Sequence, residues 1–156
     1  AEAFIVLTNK PVNPDGLKMW TDGSAYFKEG RAGYAFLFEI KENTLYESYG
    51  RLDKGPYTSA HSEIVAIIEG LRYYEIHYQG KPLLVKSDSE YVINTITDWG
   101  PSRKDWTGKE HADLLYPLLQ WLKVRPHISF EHVSAHTGLV FNERCDTLAK
   151  RGANGQ

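Results

Sequence analysis

The chain has little cysteine, no long apolar run and no surplus of positive charge. Each absence narrows the field. Cys145 is the single cysteine in 156 residues, so no internal disulfide can form. That usage fits the cytoplasm or another reducing compartment. No apolar run approaches the roughly 20 residues a membrane-spanning helix needs, so no membrane partner is expected. The opening AEAFIVLTNKPVNPDG lacks a basic n-region and is too short in apolar length for a signal peptide. Residues 1–16 read instead as a leader that lies against the fold or frays. Beginning at Ala1 and not Met, the chain is expected to be a processed product or an excised domain. There is no C-x-x-C or H-x-x-x-H cluster of the kind that holds zinc. The formal net charge is −2, which argues against a nucleic-acid binder only if the acids are spread over the surface. With four carboxylates set aside for a metal site, the remaining charge is +2.

What is present reads as one α/β domain over residues 17–152, with 153–156 as a short tail. Leu17–Ala25, Arg31–Lys41 and Thr44–Leu52 alternate in apolar character and are separated by turn residues, predicting an antiparallel meander. Ser59–Tyr78 carries Ile64, Ile67, Ile68, Leu71 and Tyr74 at helical spacing. Leu83–Ser87 is a short apolar strand. Ser89–Trp99 follows as a helix with Tyr91, Val92, Thr95 and Ile96 inward, and Gly100-Pro101 is expected to stop it. Lys109–Lys123 is a leucine-striped helix with Pro117 inside it, where a kink or late start is expected. Ile128–Val133 is the last strand and Phe141–Arg151 the last helix. Strands 1, 4 and 5 alternate with helices and should run parallel, so the expected architecture is a mixed five-stranded sheet with helices on both faces.

Four acids fall where this topology gathers ligands. Asp22 closes the first strand and Asp88 the fourth, and ligands bind outside the carboxyl ends of parallel strands. Glu63 and Asp146 each lie one turn into a helix. Each has a plainer reading: Asp22-Gly23 as a turn, Asp88-Ser89 as a helix cap, Glu63 and Asp146 as acids favoured near a helix start. A capping box does not explain Glu63, because Ala60 three residues earlier has no hydroxyl. Four converging carboxylates would raise each other's pKa, and oxygen-preferring cations relieve the repulsion. Two such ions about 3.5–4 Å apart can clamp both oxygens of a phosphoryl displacement. His136, ten positions before Asp146 on a glycine-containing loop, can serve the same centre.

The runs TDGS at 21–24, TSAHSE at 58–63, SDSEYV at 87–92 and HTGLVFNERCDTLA at 136–149 resemble type 1 ribonuclease H, over roughly Lys18 to Gly152. The last run is the specific one. The resemblance implies a ribonuclease H-like fold and hydrolysis of the RNA strand of RNA–DNA hybrids, leaving 3′-hydroxyl and 5′-phosphate ends. It implies Asp22, Glu63, Asp88 and Asp146 as ligands of two Mg²⁺ ions, with Mn²⁺ substituting, and His136 as an aid to product departure. Ser24, Thr58, Ser59 and Asn142 would contact the hybrid. Trp99 and Trp106 would line a channel for the DNA strand. The chain departs from the family at Glu90 and His61, where uncharged and basic or amide residues are common. Between residues 98 and 110, Arg103, Lys104 and Lys109 are balanced by Asp98, Asp105 and Glu110, so the family's basic handle is cut down.

Two other readings stay open. A 3′–5′ exonuclease of the same fold carries an acid two residues after its first, where this chain has Ser24. A catalytically weak ribonuclease H-like binding module would have lost acids that are all present here. The context is a freestanding monomer, or a domain of a reverse transcriptase or polyprotein, with a virion as the compartment in the retroelement case.

Overall fold

The structure is a computed structural model that describes residues 16–134 and 139–156. Period-two alternation of large apolar residues builds its sheet. β1 (Leu17–Tyr26), β2 (Arg31–Ile40) and β3 (Asn43–Arg51) form an antiparallel meander. β4 (Leu83–Ser87) and β5 (Ile128–His132) join parallel to β1, giving the order β3-β2-β1-β4-β5. This is the mixed sheet expected from the sequence.

Alternation sends successive side chains to opposite faces, so both faces need cover. On one, Met19, Phe36, Phe38, Val85 and Phe130 pack beneath α1 (Ser59–His77), α2 (Glu90–Asn94) and α4 (Ala112–Lys123). On the other, Trp20, Ala35 and Leu37 pack beneath Cys145, Leu148 and Ala149 of α5 (Val140–Ala153). A two-pronged ion pair ties α5 to the sheet edge: Arg144 Nε and Nη2 donate to Glu47 Oε1 and Oε2 at 3.1 and 2.7 Å. That contact holds Glu47 below the usual carboxylate range.

The structure corrects four expectations. β1 does not end at Asp22 but runs on to Tyr26, so Asp22-Gly23 is strand and the turn comes later, through Phe27–Glu29 and the left-handed Gly30. Gly100-Pro101 does not stop the second helix. A π-helical stretch over Thr95–Trp99 follows α2 and leads into a one-turn helix α3 (Gly100–Ser102). Pro101 has no N–H to continue the ladder, and the widened turn before it, in which Gly100 N–H donates to the Thr95 carbonyl, takes up that loss. Gly100 keeps helical angles, and a Cβ there would meet Leu119 Cδ1 at 2.6 Å, so this glycine permits close packing on α4. Tyr91 is exposed, not inward; Ile93 takes the buried place. The leucine helix starts at Ala112 and not Lys109, because His111 adopts a left-handed backbone (φ 62°) that closes off the preceding turn. Pro117 then sits inside the helix.

Candidate active site

The parallel β1–β4 ladder ends at the pair Thr21 and Ser87. Asp22 and Asp88 are the next residue on each strand, so the sheet itself sets them side by side. Asp88 is not spent as a helix cap: Ser89 takes that role, its hydroxyl accepting from Val92 N–H at 3.3 Å. Glu63 arrives from above. A Cβ at Gly23 would lie 2.6 Å from Glu63 N and would also strike Ser62 Oγ. Glycine at 23 is therefore what lets the first turn of α1 settle on β1 beside Asp22. Thr58 caps that helix, accepting from His61 N–H at 3.2 Å.

The result is a cluster of three carboxylates, Asp22, Glu63 and Asp88, each offering an oxygen within 4.8 Å of the others. Asp22 and Glu63 are buried and Asp88 is half-buried. Burial, then the charge of Asp88, pushes the Asp22 carboxyl from an ordinary 3.8 up to about 7. Glu63 is raised well above its ordinary value, first by burial and then by Asp22 and Asp88. Asp88 is raised chiefly by burial, with Asp146 adding to the effect and His132 at the end of β5 opposing it. Asp146 is not within the tight group. Its side chain is 47% exposed and pairs with Lys150 Nζ at 3.0 Å one turn on, yet its charge reaches both Asp22 and Asp88.

Two buried oxygens at this end of the molecule have no hydrogen-bond partner among the described residues: Glu63 Oε1 and Asn142 Oδ1. A native interior rarely leaves such atoms unsatisfied without a ligand to claim them. An oxygen-only donor set, three mutually repelling carboxyls and an orphaned carboxylate oxygen fit a hard divalent cation such as Mg²⁺ or Mn²⁺.

The remaining predicted residues spread outward. Ser24 is half-buried two residues beyond Asp22 on β1, and Ser59 is exposed at the start of α1. Thr58 has its hydroxyl oxygen engaged as the cap. Asn142 is buried in the first turn of α5. His136 lies outside the described residues. Trp99 and Trp106 do share a recess of about 360 Å³ with Tyr91, Arg103 and Lys109. Arg103 lies over the Trp106 ring at 5.3 Å, and Trp99 is 48% exposed. Tyr91 was missed as a lining residue because helical spacing assigned it to the core. His111 was missed altogether; nothing in its local sequence marks it, since its partner, His61, is fifty residues away.

The ribonuclease H family model matches residues 14–154. A ribonuclease H of Campylobacter jejuni (serotype O:23/36) is 32% identical over 139 residues, covering 88% of this chain and 90% of that one. Among solved structures, LC11-RNase H1 in complex with an RNA/DNA hybrid shares 21% identity and a TM-score of 0.71, over 89% of this chain and 97% of that one. Prototype foamy virus protease-reverse transcriptase shares 22% identity and a TM-score of 0.73, over 92% of this chain and 22% of that one. The same fold thus occurs as a whole small protein and as a fraction of a larger one, and the match across nearly its full length shows that this chain belongs to the ribonuclease H family of enzymes.

Proposed function

We propose that the chain is an endonuclease that hydrolyses the RNA strand of RNA–DNA hybrids and leaves 3′-hydroxyl and 5′-phosphate ends. The carrying observation is the trio Asp22, Glu63 and Asp88, within 4.8 Å of one another at the end of the parallel ladder, with Glu63 Oε1 unsatisfied. Asp146, close enough to be felt by two of them, completes the set by releasing Lys150. Two Mg²⁺ ions, or Mn²⁺ in their place, supply charge neutralisation and an activated water when bound there. The protein's part is placement. β1 and β4 fix Asp22 and Asp88, α1 fixes Glu63, and burial keeps bulk water away from Asp22 and Glu63. Ser24 stands on the same strand as Asp22 and is offered as a contact to a ribose 2′-hydroxyl, the group that separates RNA from DNA. Thr58, Ser59 and Asn142 border the same end of the sheet and are offered as further contacts to the hybrid. Trp99 and Trp106 are offered as the wall of the DNA-strand channel. His136 is proposed to speed product departure.

The test is cleavage of an end-labelled RNA–DNA hybrid in Mg²⁺, beside duplex DNA and duplex RNA, with the product ends identified. Cutting confined to the RNA of the hybrid, lost on chelation, supports the proposal. Equal cutting of duplex DNA, or a hybrid left intact in Mg²⁺ and Mn²⁺, removes it. The second reading is a catalytically weak domain of a larger reverse transcriptase, favoured by the foamy viral likeness and the charge-balanced 98–110 segment. It predicts weak cleavage by the isolated chain that rises when a neighbouring domain is supplied.

A further inference from the structure

His61 and His111 face each other across the junction of α1 and the 103–111 segment. Their Nδ1 atoms are 3.0 Å apart and their ring centroids 5.1 Å. Both rings are sequestered: His61 is 6% exposed and the His111 side chain 5%. An Nδ1-to-Nδ1 hydrogen bond needs one ring to donate and the other to accept, so the pair is complementary only when the accepting imidazole is neutral.

The location gives the pair its meaning. His61 lies in the first turn of α1, two residues before Glu63, with its backbone N–H fixed by the Thr58 cap. His111 is the residue immediately before α4, and its carbonyl accepts from Leu114 N–H at 3.0 Å and Leu115 N–H at 2.8 Å. Its left-handed backbone is one a non-glycine residue enters only at a cost. The ring contact with His61 accompanies that cost. Upstream, the chain from Arg103 to Glu110 is irregular and carries Arg103, Trp106 and Lys109 of the aromatic recess.

We propose that the His61–His111 pair is a positioning latch, which holds the 103–111 segment at a fixed distance from Glu63 and so sets how tightly a hybrid is gripped, without touching the reacting atoms. The proposal rests on the nuclease reading for its purpose, and on the paired rings for its existence. The latch joins the two halves of the binding surface: the carboxylate end of the sheet and the aromatic recess.

Two kinds of measurement test it. His61→Ala, far in sequence from the segment, should raise amide hydrogen exchange at Lys109 and Ala112 while leaving the β1 amides unchanged. This readout does not depend on nuclease activity. In hybrid cleavage, His61→Ala and His111→Gly should each raise KM about five- to tenfold with kcat held within about twofold. The double variant should be no worse than either single, since both remove one contact. His111→Asn, whose amide reaches the place of Nδ1 and tolerates a positive φ, should recover most of the loss. Glycine relieves the backbone without restoring the contact, so the Asn–Gly contrast separates the latch from a turn preference. Unchanged exchange at Lys109 and Ala112 in His61→Ala overturns the latch whatever the chain cleaves. Multiplying effects in the double variant, or a fall in kcat at constant KM, also overturns it. Loss of hybrid cleavage by the unmodified chain, with the exchange result intact, removes the nuclease reading alone.

Discussion

The two ends of the proposed binding surface are built on opposite principles. At the carboxylate end every group is fixed by the core: Asp22 and Asp88 by a parallel ladder, Glu63 by a glycine contact, all against buried apolar layers. At the aromatic end, from Asp98 to Glu110, the backbone is largely irregular, most charges are exposed and opposite charges cancel. The first end stores electrostatic cost that a cation can release. The second stores little of anything, and its position depends on a few side-chain contacts. The proposed chemistry, which needs rigid placement, falls where packing is dense, and the proposed grip on a long polymer falls where it is loose.

The sharpest break of this contrast is at Asp22. Asp22→Asn removes one charge from the cluster, and hybrid cleavage should fall by about a thousandfold or more. The metal-free chain should become more stable at pH 8, by roughly 1–3 kcal/mol, because a buried repulsion is gone. Cleavage assays with Mg²⁺ and denaturant titrations in chelator read the two effects. Cleavage near the unmodified rate would sink the assignment of Asp22 as a metal ligand.

The same stored cost gives a pH dependence. Asp22 is raised from 3.8 to about 7 in the folded chain, so the folded state holds this proton more tightly than the unfolded state does. The associated stability is fully present below about pH 4 and is lost as pH rises to about 7. That change is worth on the order of 4 kcal/mol. Glu47 and Glu75 work the other way: both are lowered by arginine hydrogen bonds, so their stability is lost as pH falls through their folded values. Denaturant midpoints of the metal-free chain should therefore decline from pH 5 to pH 7.5. Saturating Mg²⁺ should flatten the decline, and so should Asp22→Asn. A midpoint that rises over that window in chelator would show that the cluster is not strained.

Gly23→Ala probes the packing that delivers Glu63. A methyl group there meets Glu63 N at 2.6 Å and the Ser62 hydroxyl, both on a capped helix turn with little room to give. Overpacking of this kind costs about 1–3 kcal/mol. The displaced Glu63 should lower cleavage more than the stability loss alone explains, which thermal melts and single-turnover rates on one preparation will separate. A variant with wild-type rate and stability would mean that α1 can move freely on the sheet.

How far the sequence carried these conclusions depended on which interactions decide each region. The sheet and its two helical layers were legible because alternation and helical period report burial directly. So were three of the four acids as neighbours, since strand ends and helix starts follow from topology. The continuation of β1 past Asp22 was not, because Asp-Gly-Ser is locally a turn signal. In the fold that glycine serves contact with α1, a tertiary demand that overrides local preference. Gly100-Pro101 misled for the same reason: packing on Leu119 and a helix restart replaced the stop. His61–His111 joins residues whose nearness only the folded chain creates. The alternate engagement of Asp146 with Lys150 is a side-chain choice that spacing cannot reveal.

The smallest expected effect concerns grip at the loose end. Each phosphate neutralised on a duplex contributes about −0.9 to the slope of log affinity against log salt. Arg103 lies over the Trp106 ring, while Lys104 and Lys109 are exposed beside Asp98, Asp105 and Glu110. Other basic residues are already engaged: Lys86 with Glu131 at 3.3 Å and over the Trp20 ring, Lys150 with Asp146. Metal-free binding of the isolated chain to a hybrid should therefore show a shallow slope, on the order of two to four phosphates. Changing Asp98, Asp105 and Glu110 together to Asn, Asn and Gln should steepen the slope and tighten binding. Asn at 105 retains an oxygen for the Thr107 N–H that Asp105 now accepts at 2.9 Å, so the segment should keep its shape. The strand that is cut should not change, because the carboxylate end is untouched. The measurement is a hybrid-binding titration across salt concentrations in chelated buffer. A slope equivalent to about six or more contacts in the unmodified chain would place the grip elsewhere, with exposed Lys54 the first residue to replace.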